Sequence, residues 1–130
     1  MGEPIIYIDR SDVRDGKLDE LQIGVAKLVE FIGAHEPQLL SYGFYFDAQG
    51  TRMTVIAVHP DSASIETHME IGTPEFRKLA DFIILRGIEV YGQVSDTVLM
   101  LLRQKAEMLG DGGAVRVDQR HAGFTRLSVD

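Results

Sequence analysis

Residues 39 to 59 read LLSYGFYFDAQGTRMTVIAVH, two β-branched and aromatic runs around the turn Ala48-Gln49-Gly50-Thr51. With Asp47 opposite Arg52, Phe46 faces Met53, Phe44 faces Val55 and Tyr42 faces Ala57 on one side of this hairpin. Ser41, Gly43, Tyr45, Thr54, Ile56 and Val58 turn to the other side, because side chains alternate along a strand. Both sides are substantially apolar, so the hairpin must be covered twice. The chain has helices for one cover. A second copy is the expected source of the other, which makes a homodimer the expected assembly.

The remaining elements arrange themselves around that hairpin. Pro4 to Asp9 is a short strand, and Lys17 to Ala34 carries Leu18, Leu21, Val25, Leu28 and Ile32 at helical spacing. Pro37 forbids continuation of that helix. After the hairpin, Asp61 or Ser62 caps a short helix that Gly72 ends near Ile71. Thr73 then caps a second helix, with Pro74 at its first position and Phe76, Leu79, Ala80 and Ile83 facing inward. Ile84 to Tyr91 is the fourth strand. The order is β-α-β-β-α-β, an α+β fold of the ferredoxin-like kind. Ser95 caps a third helix through Leu109, Gly110 stops it, Asp111-Gly112-Gly113 is a flexible joint, and Val115 to Val117 adds a strand. Residues 1–94 are thus expected as the ferredoxin-like domain, and 95–130 as a helix and tail packed on it or on a partner.

Composition narrows the function. A chain of 130 residues is one domain. Its 20 Asp and Glu outweigh 13 Lys and Arg, giving −7 at neutral pH, which argues against nucleic acid as a partner. The absence of Cys removes disulfides, thiolate nucleophiles and iron–sulfur ligation. The first residues have no basic region before their apolar run, Gly2 is followed by Pro4 and Tyr7 against a myristoylation signal, and no apolar stretch spans a bilayer. A cytoplasmic protein without a membrane partner is expected.

The stretch Val55 to Phe76 carries a family resemblance. Its strand ends Ala57-Val58-His59, its helix starts Pro60-Asp61-Ser62, His68 closes that helix, and the next opens Thr73-Pro74-Glu75-Phe76. This pattern resembles the antibiotic-biosynthesis-monooxygenase-like families of the dimeric α+β barrel superfamily, over about residues 4 to 91. The resemblance implies a dimeric barrel with an extra C-terminal helix and tail. It also implies a cofactor-independent monooxygenase or isomerase acting on a small aromatic or quinol-like compound. The family's strand-end Trp is His59 here, and its acidic neighbour is Ala57. Haem-degrading relatives use an Asn and a Trp as well as the His, and this chain has neither, which argues against that branch. No cofactor is expected, although the chemistry still allows a haem ligated by His68 alone.

Four residues are the candidates for chemistry. His68 is the candidate catalytic base, since an imidazole titrates near working pH and takes a phenolic proton; the competing reading is a helix-end histidine that only packs. Tyr42, His59 and Arg86 are candidate substrate contacts. Tyr42 with Phe44 and Phe46 lines a pocket for a flat ring or fills a core. His59 precedes Pro60 at a strand end, where a solvated edge position is the ordinary outcome. Arg86 interrupts an apolar strand, and it reaches the rim, pairs with Glu89 or Asp9, or binds an anionic substrate group. Two histidines without a third ligand make no metal site. The alternative to an enzyme is a non-catalytic dimeric module that binds a small ligand or serves assembly.

Overall fold

β1 (Ile5–Val13) lies at the centre of one five-stranded sheet of order β2-β3-β1-β4-β5. The structure is a computed structural model describing residues 3–127, with residues 111 and 112 described in their backbone alone. Met1 and Gly2, on which the myristoylation question turned, and residues 128–130 of the tail lie outside the described residues. β1 pairs antiparallel with β3 (Arg52–His59) and β4 (Ile83–Tyr91), and β3 pairs antiparallel with β2 (Ser41–Phe46). The hairpin register is the expected one, with Phe46 opposite Met53, Phe44 opposite Val55 and Tyr42 opposite Ala57. α1 (Leu18–His35) and α2 (Ser62–Arg77) complete the βαββαβ unit. α3 (Asp96–Leu109) then returns the chain so that β5 (Gly110–Asp118) lies parallel to β4 at the sheet edge.

One apolar cluster joins the helices to one face of the sheet. Leu21, Val25, Leu28 and Ile32 of α1, Ile65, Met69 and Phe76 of α2, and Val98, Leu102 and Leu109 of α3 all belong to it. From the sheet come Ile5 and Tyr7, Met53, Val55 and Ala57, and Leu85, Ile88 and Val90. The opposite face presents Ile6, Ile8, Ile56 and Ile84, half-buried and outside that cluster. No helix among the described residues is long and apolar enough to cross a membrane.

Two expectations fail in instructive ways. The short helix and second helix expected around Gly72-Thr73-Pro74 are one helix, α2, with Pro74 inside it. Thr73 does not cap a new helix. Its hydroxyl donates back to the Met69 carbonyl one turn earlier, the bond that Thr forms inside a continuing helix. Asp111-Gly112-Gly113 is not a joint either, since its backbone runs within β5. A Cβ at Gly110 would collide with the Leu85 carbonyl, and one at Gly113 would stand 2.5 Å from the Arg86 carbonyl. These glycines permit close approach to β4.

Candidate functional site

The alternation of β1 places Tyr7, Asp9 and Ser11 on the helix-covered face, all buried. α3 lies over them and sends Lys105 into the same layer, 6% exposed. The Tyr7 hydroxyl donates to Asp9 Oδ2 at 2.5 Å, and Lys105 Nζ donates to the Tyr7 oxygen at 2.8 Å and to Asp9 Oδ2 at 3.4 Å. The ammonium also sits over two rings, 4.8 Å from the Tyr7 centroid and 4.4 Å from that of Phe76. A buried carboxylate and a buried ammonium persist because each satisfies the other.

Asp9, Ser11 and Lys105 line a cavity of about 20 Å³ between sheet and helices, with Tyr42, Phe44 and Phe76 as its aromatic walls. Leu, Ile, Val and Met side chains supply the rest of its lining. Its volume corresponds to room for about one water. Ser11 Oγ is buried there without a hydrogen-bond partner. Burial, reinforced by the Asp9 charge and the Tyr7–Asp9 bond, pushes the Tyr7 phenol well above its ordinary range. Burial, then the charges of Asp9 and Glu36, does the same to Tyr42.

A second polar cluster lies directly behind the aromatic wall. His68 of α2 is buried, and its Nδ1 lies 2.9 Å from both oxygens of Glu36, the residue that ends α1. The ring stands edge-on to Tyr42 at 5.2 Å, to His59 at 5.3 Å and tilted against Phe76 at 5.1 Å. Burial lowers the His68 pKa, with the Glu36 hydrogen bond opposing it. A neutral imidazole therefore donates Nδ1–H to Glu36 and keeps its lone pair on Nε2. His59 is 1% exposed, and its Nδ1 lies 2.8 Å from Ser64 Oγ. Burial, with His68 and Lys105 nearby, holds its pKa down at about 3.

The expected residues thus divide. Tyr42, His59 and His68 come together on one face of the sheet. His59 is not the solvated edge residue its place before Pro60 suggested, because β3 is flanked by both β1 and β2. Arg86 is on the opposite face, where it donates to Asp12 Oδ2 at 2.7 Å beside the Arg10–Glu89 pair at 2.6 Å. The carboxylate partner of His68 is Glu36, 32 residues earlier. Among the described residues no group of three or more His, Asp or Glu is placed to hold a metal.

Sequence reasoning missed the Asp9–Lys105 pair. Its signal was present: Lys105 falls in the stripe of Val98, Leu102 and Leu109, and Asp9 on the alternation of Ile5 and Tyr7.

No family model and no curated protein matches the sequence. Solved structures do match in shape. MupZ from Pseudomonas fluorescens superposes with a TM-score of 0.74 at 18% identity, over 95% of each chain. SnoaB, a cofactor-independent oxygenase from Streptomyces nogalater, superposes at 0.61 and 15% identity, over 70% of this chain and 93% of its own. A structure named antibiotic biosynthesis monooxygenase gives 0.54 at 20% identity, over 62% of this chain and 94% of its own. The chain has the α+β fold of these proteins. The two oxygenase matches span the share occupied by the βαββαβ unit, roughly two thirds, whereas the MupZ match also needs α3 and β5.

Proposed function

We propose that this chain is an antibiotic-biosynthesis-monooxygenase-like protein, a cytoplasmic homodimer acting on a small aromatic or quinol-like compound as a cofactor-independent oxygenase. One observation carries the reading: a buried carboxylate–phenol–ammonium cluster at a cavity with aromatic walls. A phenol or quinol needs little from a protein beyond loss of its proton, exclusion of water and orientation. Asp9 takes the proton and Lys105 faces the resulting oxyanion. The electron-rich anion reduces dioxygen, and a phenol bearing a ring hydrogen plus O2 yields a quinone plus water. SnoaB, with the same fold, is named for chemistry of this class.

His68 is then a positioning residue. Tyr42 lines the cavity and His68 stands behind it, fixed by Glu36, so the pair sets the orientation of the aromatic wall. The binding-module alternative would suit a His68 bonded to backbone alone; a carboxylate partner favours the enzyme.

Oxygen consumption with a panel of naphthols, quinols and anthrone-like compounds tests the proposal. Turnover of one compound by wild type, reduced at least about a hundredfold in Lys105→Met, is the expected result. Binding without oxygen uptake by any compound would instead support the non-catalytic module.

A further inference from the structure

Ser11 Oγ lacks a partner although it is buried at the centre of the sheet, and it shares a water-sized cavity with Lys105. A hydroxyl in such a place is costly unless a polar atom from outside completes it. We propose that Ser11 and Lys105 form an oxyanion subsite for the ionised hydroxyl of a phenol or enol, completed by α3 beyond the βαββαβ unit. The claim deepens the reading above and depends on it only for the identity of the cavity.

The cavity has room for the hydroxyl oxygen, not for a ring. The ring has room next door. A groove of about 280 Å³ between α1 and the end of α2 has an apolar part, Ile23, Gly24 and Phe82, inside a charged rim of Glu20, Lys27, Glu75 and Lys78, and it shares Leu28 and Leu79 with the cavity. Two leucine side chains are therefore common to both spaces. Gly24 keeps Leu79 in place without crowding, since a Cβ there would stand 3.0 Å from Leu79 Cδ2.

The proton balance closes within the site. The substrate O–H bond breaks, its proton passes to the Asp9 carboxylate, and the oxyanion accepts from the Lys105 ammonium and the Ser11 hydroxyl. Lys105 stays protonated, so the total charge of site and substrate does not change. The titratable groups around Lys105 are Tyr7 and Asp9 from β1, Tyr42 of β2 across the cavity, His59 of β3 and His68 of α2. A phenolate is favoured over an alcohol because the cation stabilises only the ionised form.

Visible absorbance of a nitrophenol series, whose ionised forms are coloured, tests this without any turnover. The wild-type protein is expected to lower the pKa of the bound phenol by at least about one unit, a tenfold preference for the anion. Lys105→Met removes that shift. Ser11→Ala, which leaves the Asp9–Lys105 pair intact, weakens phenolate binding about fivefold and leaves neutral-phenol binding unchanged. Absence of binding, binding of the neutral phenol with an unshifted pKa, or an unaltered shift in folded Lys105→Met or unaltered affinity in folded Ser11→Ala overturns the subsite. A shift found in a protein that consumes no oxygen leaves the subsite standing and removes the oxygenase reading.

Discussion

Replacing Lys105 by Ala leaves the buried Asp9 carboxylate with Tyr7 as its remaining side-chain donor. A buried charge stripped of its counter-ion is strongly destabilising, and the expected loss in urea unfolding is about 3 kcal/mol. Adding Asp9→Leu should return most of it; a double variant no better than the single one would show that the pair is not the coupled unit described. His59 makes a second prediction. Its ordinary pKa is 6.5 and in the fold it is about 3, so between those values the unfolded chain binds a proton that the native one refuses. Stability then falls as pH drops below 6.5, by about 1.4 kcal/mol per unit from this group, and the loss is complete near pH 3. His68, also held below its ordinary value, acts in the same direction. Urea midpoints at successive pH values should show a shallower slope in His59→Gln. Equal slopes would mean that His59 is not held neutral by burial.

At the scale of elements, α2 sets two tendencies against each other at Gly72. Alanine is the better helix former by about 1 kcal/mol. A Cβ at this position, however, would collide with the Phe76 ring, which packs over it. Overpacking costs about 1–3 kcal/mol, so Gly72→Ala is expected to lower the melting temperature. A raised melting temperature would show that Phe76 does not pack there. The same stretch shows why helix boundaries were harder to read than strands. Gly72-Thr73-Pro74 has the residue types of a stop, a cap and a first turn, but whether a Thr hydroxyl caps forward or bonds backward depends on the packing of the helix end. The hairpin register was legible because alternation and turn length fix it locally. Asp111-Gly112-Gly113 was not, because Gly113, like Gly110 before it, answers to a carbonyl of β4, a contact no local pattern contains.

For the whole molecule, the sheet face without helices presents Ile6, Ile8, Ile56 and Ile84 around the neighbouring pairs Arg10–Glu89 and Arg86–Asp12. A face of that composition is the one a second copy would cover. Light scattering should give a dimer for the wild type and a monomer for Ile56→Glu; a wild-type monomer at micromolar concentration would refute the pairing. The candidate site was legible only in part. His68 and Tyr42 stood out by residue type, whereas Lys105 and Asp9 meet across 96 residues of sequence through the addition of α3. The remaining question of scale is which sheet face receives the ligand. Methyl-detected NMR of the full chain during titration with a naphthol answers it most directly. Shifts of Ile23, Leu28 and Leu79 along the groove and of Leu85 in the cavity, all lost in Lys105→Met, are the predicted result; shifts confined to Ile8 and Ile56 on the opposite face would contradict the account.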